Sequence, residues 1–331
     1  MPNIILSEGS EKLGALYGKI QAPIASYLQK RGEAFEQASI AKEIFVKHPS
    51  THWAEGYGGL TGMNDFELTP ENGAYPTNGF EEGYFQTIQN YTWKSSFSVS
   101  REMVDDGKLV DFKKKPESFI QAAYRTQERF FAQMLGTALQ GKTEFTLQNQ
   151  AFSTKSADGL CMFSNAHKAK VSGDTIVNAY KDAFSKEALG KAATAMQNLK
   201  GDNGETLGLV PDTIVIPNLA DLKDEVFAAI ASHLEPGTEN KYNYLFGNWR
   251  VLVWPYLNDF LGGLSAPWII LDSSYNQAGD CAIWQERVPL EVRSELADND
   301  ANVWKGYMRF GGGFVDFRGM IAGGMSAGGT L

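Results

Sequence analysis

Apolar residues recur at helical spacing in three stretches of the chain. The longest runs from Pro116 to Leu139, with proline in its first turn and Gly141 as a stop after its last turn. A second covers Ser185 to Leu199, where serine is a favoured N-cap residue, and a third covers Leu219 to Ile230. The spacing therefore predicts three helices, and the first would be about 36 Å long.

Short apolar runs between and after these helices have the length of buried strands. Interleaved with the second and third helices, four of them predict an α/β layer over residues 185–284: Thr213–Ile216, Arg250–Trp254, Trp268–Leu271 and Cys281–Trp284. Further on, Leu290–Leu296 and Val303–Phe310 flank an Asp-Asn-Asp turn and predict an antiparallel pair. We expect a triple-glycine link, a last strand at Phe314–Phe317 and a flexible tail at Gly323–Leu331 to follow.

The region from His48 to Gly107 is rich in glycine, proline, asparagine and aromatic residues. Within it, Trp93–Ser100 alternates apolar and polar positions and, with Tyr84–Gln89 before it, predicts a long projecting hairpin. Two strands cannot bury so many aromatic side chains by themselves. We therefore expect the hairpin to pack on a neighbouring copy of the chain, with these contact candidates: Phe80, Tyr84, Phe85, Trp93 and Phe97.

The leader from Glu11 to Lys47 also lacks a core of its own. It carries a narrow apolar stripe at three- and four-residue steps, which Pro23 should kink or break. The stripe predicts an arm or surface helix that needs a partner surface, and its members are Leu13, Leu16, Ile20, Ile24, Tyr27 and Leu28.

Composition places the chain among globular proteins, since 43% of its 331 residues are hydrophobic and 21% are charged. No apolar run is long enough to span a bilayer and the first residues do not resemble a signal peptide, so we expect a soluble protein made in the cytoplasm. We therefore expect Cys161 and Cys281 to be buried thiols and not a disulfide. We see no internal repeat and no linker between independent domains.

The formal net charge is −9, and the acidic residues are dispersed along the chain. Lys113–Lys115 is the one basic run, and we expect it to lie in a solvated loop before Pro116. Proteins that grip nucleic acid usually present a basic face. Any contact with DNA should therefore be sparse, non-specific and weakened by salt.

The sequence contains few residue patterns that are typical of a catalytic or ligand-binding site. His48 and His52 have a metal-like spacing, but Pro49 opposes the helix that would aim both at one ion, and His167 and His233 are isolated. Ser164 and His167 are too close in sequence to indicate a nucleophile and its base. We predict ordinary turns and solvated faces for the remaining candidates, which are Gly201–Gly204, Gly311–Gly313, Asp105–Asp106 and Glu81–Glu82. No catalytic residue, cofactor or metal site is predicted.

The order of elements between Ala157 and Ile230 is more informative than any single residue. A loop with Gly159 ends in Phe163-Ser164-x-x-His167, and a helix, a Gly-Asp-Asn-Gly turn, the strand Val210–Pro217 and a second helix follow. This order resembles the major capsid proteins of tailed phages, and among them the Mu-type head subunit. Further similar segments occur in the same order from about His48 to Met325: Gly62-Met63, Tyr91–Phe97, Trp268–Asp272 and Asp316–Gly319.

The resemblance implies an α+β chain with the HK-ninety-seven-like fold, an N-terminal arm, an extended β-hairpin loop, a peripheral domain with a long spine helix, and an axial α/β domain. The implied domains are residues 1–55 (arm), 56–107 (extended loop region), 108–184 (peripheral domain), 185–284 (axial domain) and 285–331 (return strands and tail). Because only the leader precedes the loop region, we expect no built-in, cleaved scaffolding segment.

As function, the resemblance implies a non-enzymatic subunit that forms pentamers and hexamers of an icosahedral head around double-stranded DNA. The protein would be assembled in the host cytoplasm and reside in the virion. Its partners would be copies of itself, portal, scaffolding and decoration proteins, and DNA through non-specific contacts, with no membrane and no cofactor. Two alternatives remain at this point: an encapsulin-like compartment for cargo enzymes, and a metal-dependent hydrolase using His48, His52 and acidic residues.

Overall fold

The computed structural model describes residues 4–8, 26–61, 65–77, 79, 82–105, 109–232, 242–279 and 281–331. They belong to two units, each assembled from three separate parts of the chain. Unit 1 comprises Met1–Glu55, Ile88–Phe131 and Trp284–Gly312, and unit 2 comprises Gly56–Thr87, Ala132–Ile283 and Gly313–Leu331. Several predicted features lie outside the described residues: the stripe from Leu13 to Ile24, Gly62-Met63, Phe80, Glu81, Asp106 and His233.

Unit 1 contains a sheet in which four strands have the order β1-β13-β14-β5 and β2 pairs with β13. The strands are β1 (Ile4–Glu8), β2 (Val46–Pro49), β5 (Tyr91–Val99), β13 (Ala282–Leu296) and β14 (Asn302–Phe314). The predicted pairing of Leu290–Leu296 with Val303–Phe310 is confirmed, because β13 and β14 are neighbours. Their short connection permits only an antiparallel pair.

The predicted hairpin between Tyr84–Gln89 and Trp93–Ser100 is wrong. Strand β4 (Glu82–Gln89) pairs with β3 (Ala54–Leu60), whereas β5 pairs antiparallel with β14, from Tyr91 opposite Phe310 to Val99 opposite Asn302. Only Asn90 separates β4 from β5. One residue is too few to turn the chain back on itself, since the tightest common hairpins use two.

Helix α4 (Leu109–Leu139) starts upstream of the predicted Pro116, which lies inside it. An interior proline lacks the N–H for one helix hydrogen bond and crowds the carbonyl four residues before it, yet here the helix continues on its N-terminal side. Lys113–Lys115 is consequently helical rather than part of a loop. Lys115 Nζ donates a hydrogen bond to the Ser98 carbonyl, 3.0 Å away.

The core of unit 1 lies between α4 and the sheet. Phe119 and Ile120 of α4 pack with Leu290, Val292 and Trp304 of the two long strands. The described part of the leader joins this core: residues 26–37 form helix α1, whose Leu28 is fully buried in the same cluster. Phe35 stacks on Tyr124 at 5.8 Å, and Arg31 pairs with Glu117 at 2.5 Å. This part of the predicted arm finds its partner surface within its own chain.

Unit 2 contains a second sheet, in the order β11-β10-β12-β15. Strands β10 (Thr213–Pro217), β11 (Arg250–Trp254) and β12 (Trp268–Leu271) confirm three of the four strands predicted for the α/β layer. Every residue of β10, β12 and β15 (Met320–Gly323) is buried. The fourth predicted strand instead begins β13, and the last strand is β15 rather than Phe314–Phe317.

Helices and short hairpins complete the structure. Helix α5 (Lys186–Gln197) is capped as predicted, since the Ser185 hydroxyl accepts a hydrogen bond from the Ala188 N–H at 3.0 Å. The tail is hydrogen-bonded rather than free, because the Gly329 N–H donates to the Ala179 carbonyl at 2.8 Å. The remaining elements are α2 (Ala41–Ile44), α3 (Arg101–Asp105), α6 (Ala220–Ile230), a 3-10 helix (Pro255–Phe260), α7 (Ser273–Gly279), β6 (Glu144–Leu147), β7 (Gln150–Ser153), β8 (His167–Lys168) and β9 (Thr175–Ile176). None of the described helices is long and apolar enough to span a bilayer.

Gly306 tests the packing of α4 on β14. A Cβ atom at this position would lie 2.4 Å from Cζ of Phe119, a ring that is itself buried. We expect Gly306→Ala to lower the free energy of unfolding by about 1–3 kcal/mol, because either the ring or the strand must shift. Gly59→Ala is the matched control, since its Cβ would meet only one atom, at 4.0 Å. Urea unfolding of the subunit measures both, and equal losses would contradict this account.

Candidate functional site

Among the residues that the structure describes, the most exposed apolar side chains lie in the connection between β3 and β4. We call residues 61–81 the β3–β4 loop; its residues 65–77 and 79 are all exposed. Phe66 and Leu68 are 102% exposed and Tyr75 is 97% exposed. The prediction of contact candidates missed these three residues because it took the wrong pair of strands for the hairpin.

The charge of this region has one sign. The described part of the loop contains Asp65, Glu67 and Glu71, and neither lysine nor arginine occurs between Lys47 and Lys94. An acidic segment that also exposes large apolar groups is unusual for a solvated loop. The signal in the sequence that could have singled it out is the combination of acidic and large apolar residues in a stretch without lysine or arginine.

The base of the loop rests on its own unit through β4. The Tyr84 hydroxyl donates to the Lys168 carbonyl at 3.1 Å, and Lys170 Nζ lies 4.8 Å from the centre of the Tyr84 ring. Phe85 points to the neighbouring strand, where a Cβ on Gly56 would lie 2.5 Å from its ring. Even so, Phe85 remains 63% exposed and keeps most of its surface for another contact.

The last two contact candidates face rings of unit 1. Trp93 stacks on Phe310 with ring centres 5.1 Å apart and meets the edge of Phe130 at 5.7 Å. Phe97 packs against Phe119 at 5.0 Å. Their substitution would disturb the subunit core, so they cannot report on contacts between subunits alone.

A cavity of about 530 Å³ lies in unit 2 beside the base of the loop. One wall is formed by the glycine-rich strand β3, which includes Tyr57, and by Tyr84 of β4. The other contains a buried polar cluster centred on Arg318, which pairs with Asp202 at 2.6 Å and with Asp316 at 3.2 Å. The cluster connects the Gly201–Gly204 turn to the segment 315–319 that precedes β15.

Burial and charge perturb this cluster in different directions. For Arg318, burial works against the charged form, but the carboxylates of Asp316 and Asp202 outweigh it and raise the pKa of the guanidinium. Burial raises the pKa of Tyr275, and the neighbouring Asp316 raises it further. The Tyr275 hydroxyl donates to Asp316 at 2.8 Å, so it acts as a neutral support of the ion pair.

The residues considered for catalysis are held by other partners. His52 is exposed beside Glu55 at 3.3 Å, and hydrogen bonds from the His52 N–H, the Ser50 hydroxyl and the Thr51 N–H lower the pKa of Glu55 to about 2. His167 contacts Asp158 and the Met162 carbonyl, while the Ser164 hydroxyl accepts from the Ala166 N–H. In the described part of the chain, no three His, Cys, Asp or Glu side chains form a group suited to a metal ion.

Comparison with known protein families identifies the family to which the chain belongs. The family model for the phage capsid protein matches residues 84–323, which is more than half of the chain. The chain belongs to the phage capsid protein family. It is thus a structural protein of the phage head shell, and the resemblance to major capsid proteins is confirmed; the Mu-type subtype stays a prediction.

Solved structures agree on the fold of this capsid protein. The capsid of the Myoviridae phage XM1 is similar over 86% of this chain and 90% of its own, with 12% identity and a TM-score of 0.51. The capsid of the cyanophage P-SCSP1u is similar over 86% of this chain and 87% of its own, with 10% identity and a TM-score of 0.51. The expected α+β capsid fold is confirmed. No curated protein matches the chain.

Arg318 provides a test of the polar cluster in the capsid protein. We expect Arg318→Met to lower the free energy of unfolding by about 3–5 kcal/mol, because it leaves Asp202 and Asp316 without their cation. Arg293→Met is the control, since Arg293 pairs with Glu291 but its side chain is 70% exposed, and it should change stability by less than about 0.5 kcal/mol. Urea unfolding compares them; similar losses would show that the cluster adds nothing.

Proposed function

We propose that this capsid protein assembles with copies of itself into the pentamers and hexamers of an icosahedral head that encloses double-stranded DNA. The observation that carries the proposal is the exposure of Phe66, Leu68 and Tyr75 in the β3–β4 loop. Each such side chain gains about 1.5–3 kcal/mol when a second surface covers it. A repeated shell supplies that surface to every copy.

The β3–β4 loop is the proposed contact with the neighbouring copy. Phe85 and Tyr84 at its base extend the contact, and Phe80 remains a candidate. Because the loop is acidic, the receiving surface should be neutral or basic where the loop lies on it. Together with the other subunit contacts it should bury more than about 1,000 Å², the usual minimum for a specific interface.

The remaining proposed partners are those that a DNA-containing shell requires. Packaged DNA would meet the net charge of −9 without specific binding, since Lys113–Lys115 is the one basic run in the sequence. Portal, scaffolding and decoration proteins would complete a head assembled in the host cytoplasm. The proposal includes no catalytic step.

Substitution in the loop tests the contact. We expect the double variant Phe66→Ser with Tyr75→Ser to raise the protein concentration needed for assembly at least about tenfold, equivalent to about 1.4 kcal/mol. Its unfolding should match that of the parent, because neither side chain contacts the subunit core. Thr69→Ser, in the same loop, should leave both properties unchanged. Light scattering and electron microscopy measure assembly; unaltered shells from the double variant would remove the loop from the interface.

Proteolysis tests the same contact without a substitution. Chymotrypsin should cut the free subunit at Phe66 or Leu68 and should cut assembled shells much more slowly, because a neighbour covers the loop. Trypsin is the control, since it has no target between Lys47 and Lys94 in either state. Cleavage at equal rates in subunits and shells would mean that the loop stays exposed after assembly.

A further inference from the structure

His167 is completely buried in unit 2, and both of its ring nitrogens have hydrogen-bond partners. Nδ1 lies 2.6 Å from Oδ2 of Asp158, and Nε2 lies 3.2 Å from the carbonyl oxygen of Met162. The role of these contacts is separate from the exposed loop and from assembly.

The two partners fix the number of protons on the ring. A carbonyl oxygen has no hydrogen to donate, so Nε2 must carry one. Asp158 is an acceptor as well, because its Oδ1 already receives hydrogen bonds from the Ser156 hydroxyl at 2.6 Å and from the Leu160 N–H at 3.1 Å. Nδ1 must therefore also donate, and a ring with two N–H groups is an imidazolium cation.

The state of Asp158 agrees with this count. Burial of Asp158 works to raise its pKa, but the hydrogen bonds from His167 and Ser156 outweigh burial and lower the pKa. An ionised carboxylate that is 4% exposed needs a cation beside it, and His167 is the group in contact.

The imidazole ring also joins two parts of the chain. It stacks on Phe317 with ring centres 3.9 Å apart and planes within 3°. Asn178 fixes both ends of this contact, since its Nδ2 donates to the carbonyls of Met162 at 2.8 Å and Phe317 at 2.9 Å. The loop 157–168 is thereby held against the segment 315–319.

We propose that His167 is a buried imidazolium at neutral pH. Its ion pair with Asp158 lies within the loop 157–168 and acts as a proton-dependent lock that keeps the His167 ring stacked on Phe317 of the segment 315–319. When Nε2 loses its proton to solvent, its lone pair faces the carbonyl oxygen of Met162 and this hydrogen bond is lost. The lock is therefore weakened when the pH rises.

The other ionisable groups around the lock are few. Arg318 lies over the Phe317 ring at 4.8 Å and is held by Asp202 and Asp316. Burial raises the pKa of the Cys161 thiol and of the Tyr84 phenol, and the negative charge of Asp158 adds to both shifts. Both groups therefore stay neutral over the pH range in which a histidine titrates.

The sign of the pH dependence follows from both members of the pair. A proton that the folded chain holds through two hydrogen bonds gives stability that is lost when the pH rises far enough to remove the proton. The lowered pKa of Asp158 gives stability above its ordinary value of 3.8 that is lost in acid. The lock is therefore strongest in weakly acidic solution.

The direct test is nuclear magnetic resonance of the full-length subunit with ¹⁵N-labelled histidine, at pH 7. The His167 signals are assigned by their disappearance in His167→Gln. We expect hydrogen on both ring nitrogens of His167. A His167 ring with hydrogen on one nitrogen only would overturn the proposal.

Thermal unfolding between pH 6 and pH 9 gives an independent readout. The melting temperature of the parent should fall about 2–4 °C further over this range than that of His167→Gln, which has no proton to lose. His52→Gln, as the control, should follow the parent. If His167→Gln fails to fold, Asp158→Asn replaces it, and it should show the same flattened pH dependence. Parallel curves for parent and variant would overturn the lock.

Discussion

The contact between α4 and the strands β13, β14 and β5 is the interaction on which unit 1 depends. Phe119 and Ile120 meet Trp304, Leu290 and Val292 there, while α1 adds Leu28 to the same cluster. Because a buried glycine, Gly306, lies directly under the Phe119 ring, the helix approaches the strand more closely than any other residue would allow. Trp93 and Phe97 belong to this packing, which explains why aromatic residues on a strand need not be a binding surface.

Unit 2 combines an apolar sheet with a polar region that is almost as buried. The strands β10, β12 and β15 are buried throughout, yet beside them Arg318, Asp202, Asp316 and Asp158 are ionised groups with short hydrogen bonds. Such groups stabilise a fold only when each has a partner. Here the Phe317 ring contacts both His167, at 3.9 Å, and Arg318, at 4.8 Å.

A shell subunit has to fold before it has neighbours and must still keep apolar surface for them. The two needs are met in different places. Both units have buried cores, whereas the most exposed apolar side chains of the described residues, Phe66, Leu68 and Tyr75, lie in the acidic β3–β4 loop. Like charges keep free loops apart in solution. At the base of the loop, the Tyr84 hydroxyl and the Gln86 side-chain amide of β4 donate to backbone carbonyls of Lys168 and Lys155. It can therefore be covered by another chain without disturbing the fold.

The sequence by itself determined the elements whose signal is local, such as the apolar face of a helix or its N-cap residue. Periodicity was enough for α4, α5 and α6, short buried runs were enough for β10, β11 and β12, and the order of motifs identified the capsid resemblance. Tertiary structure alone decided the partners. Strand β5 pairs with β14 and not with β4, and Trp93 packs on Phe310 of β14. Both contacts join segments that are more than two hundred residues apart in the chain. The protons on His167 likewise depend on an acceptor on each side of its ring, which folding brings together and no local pattern records.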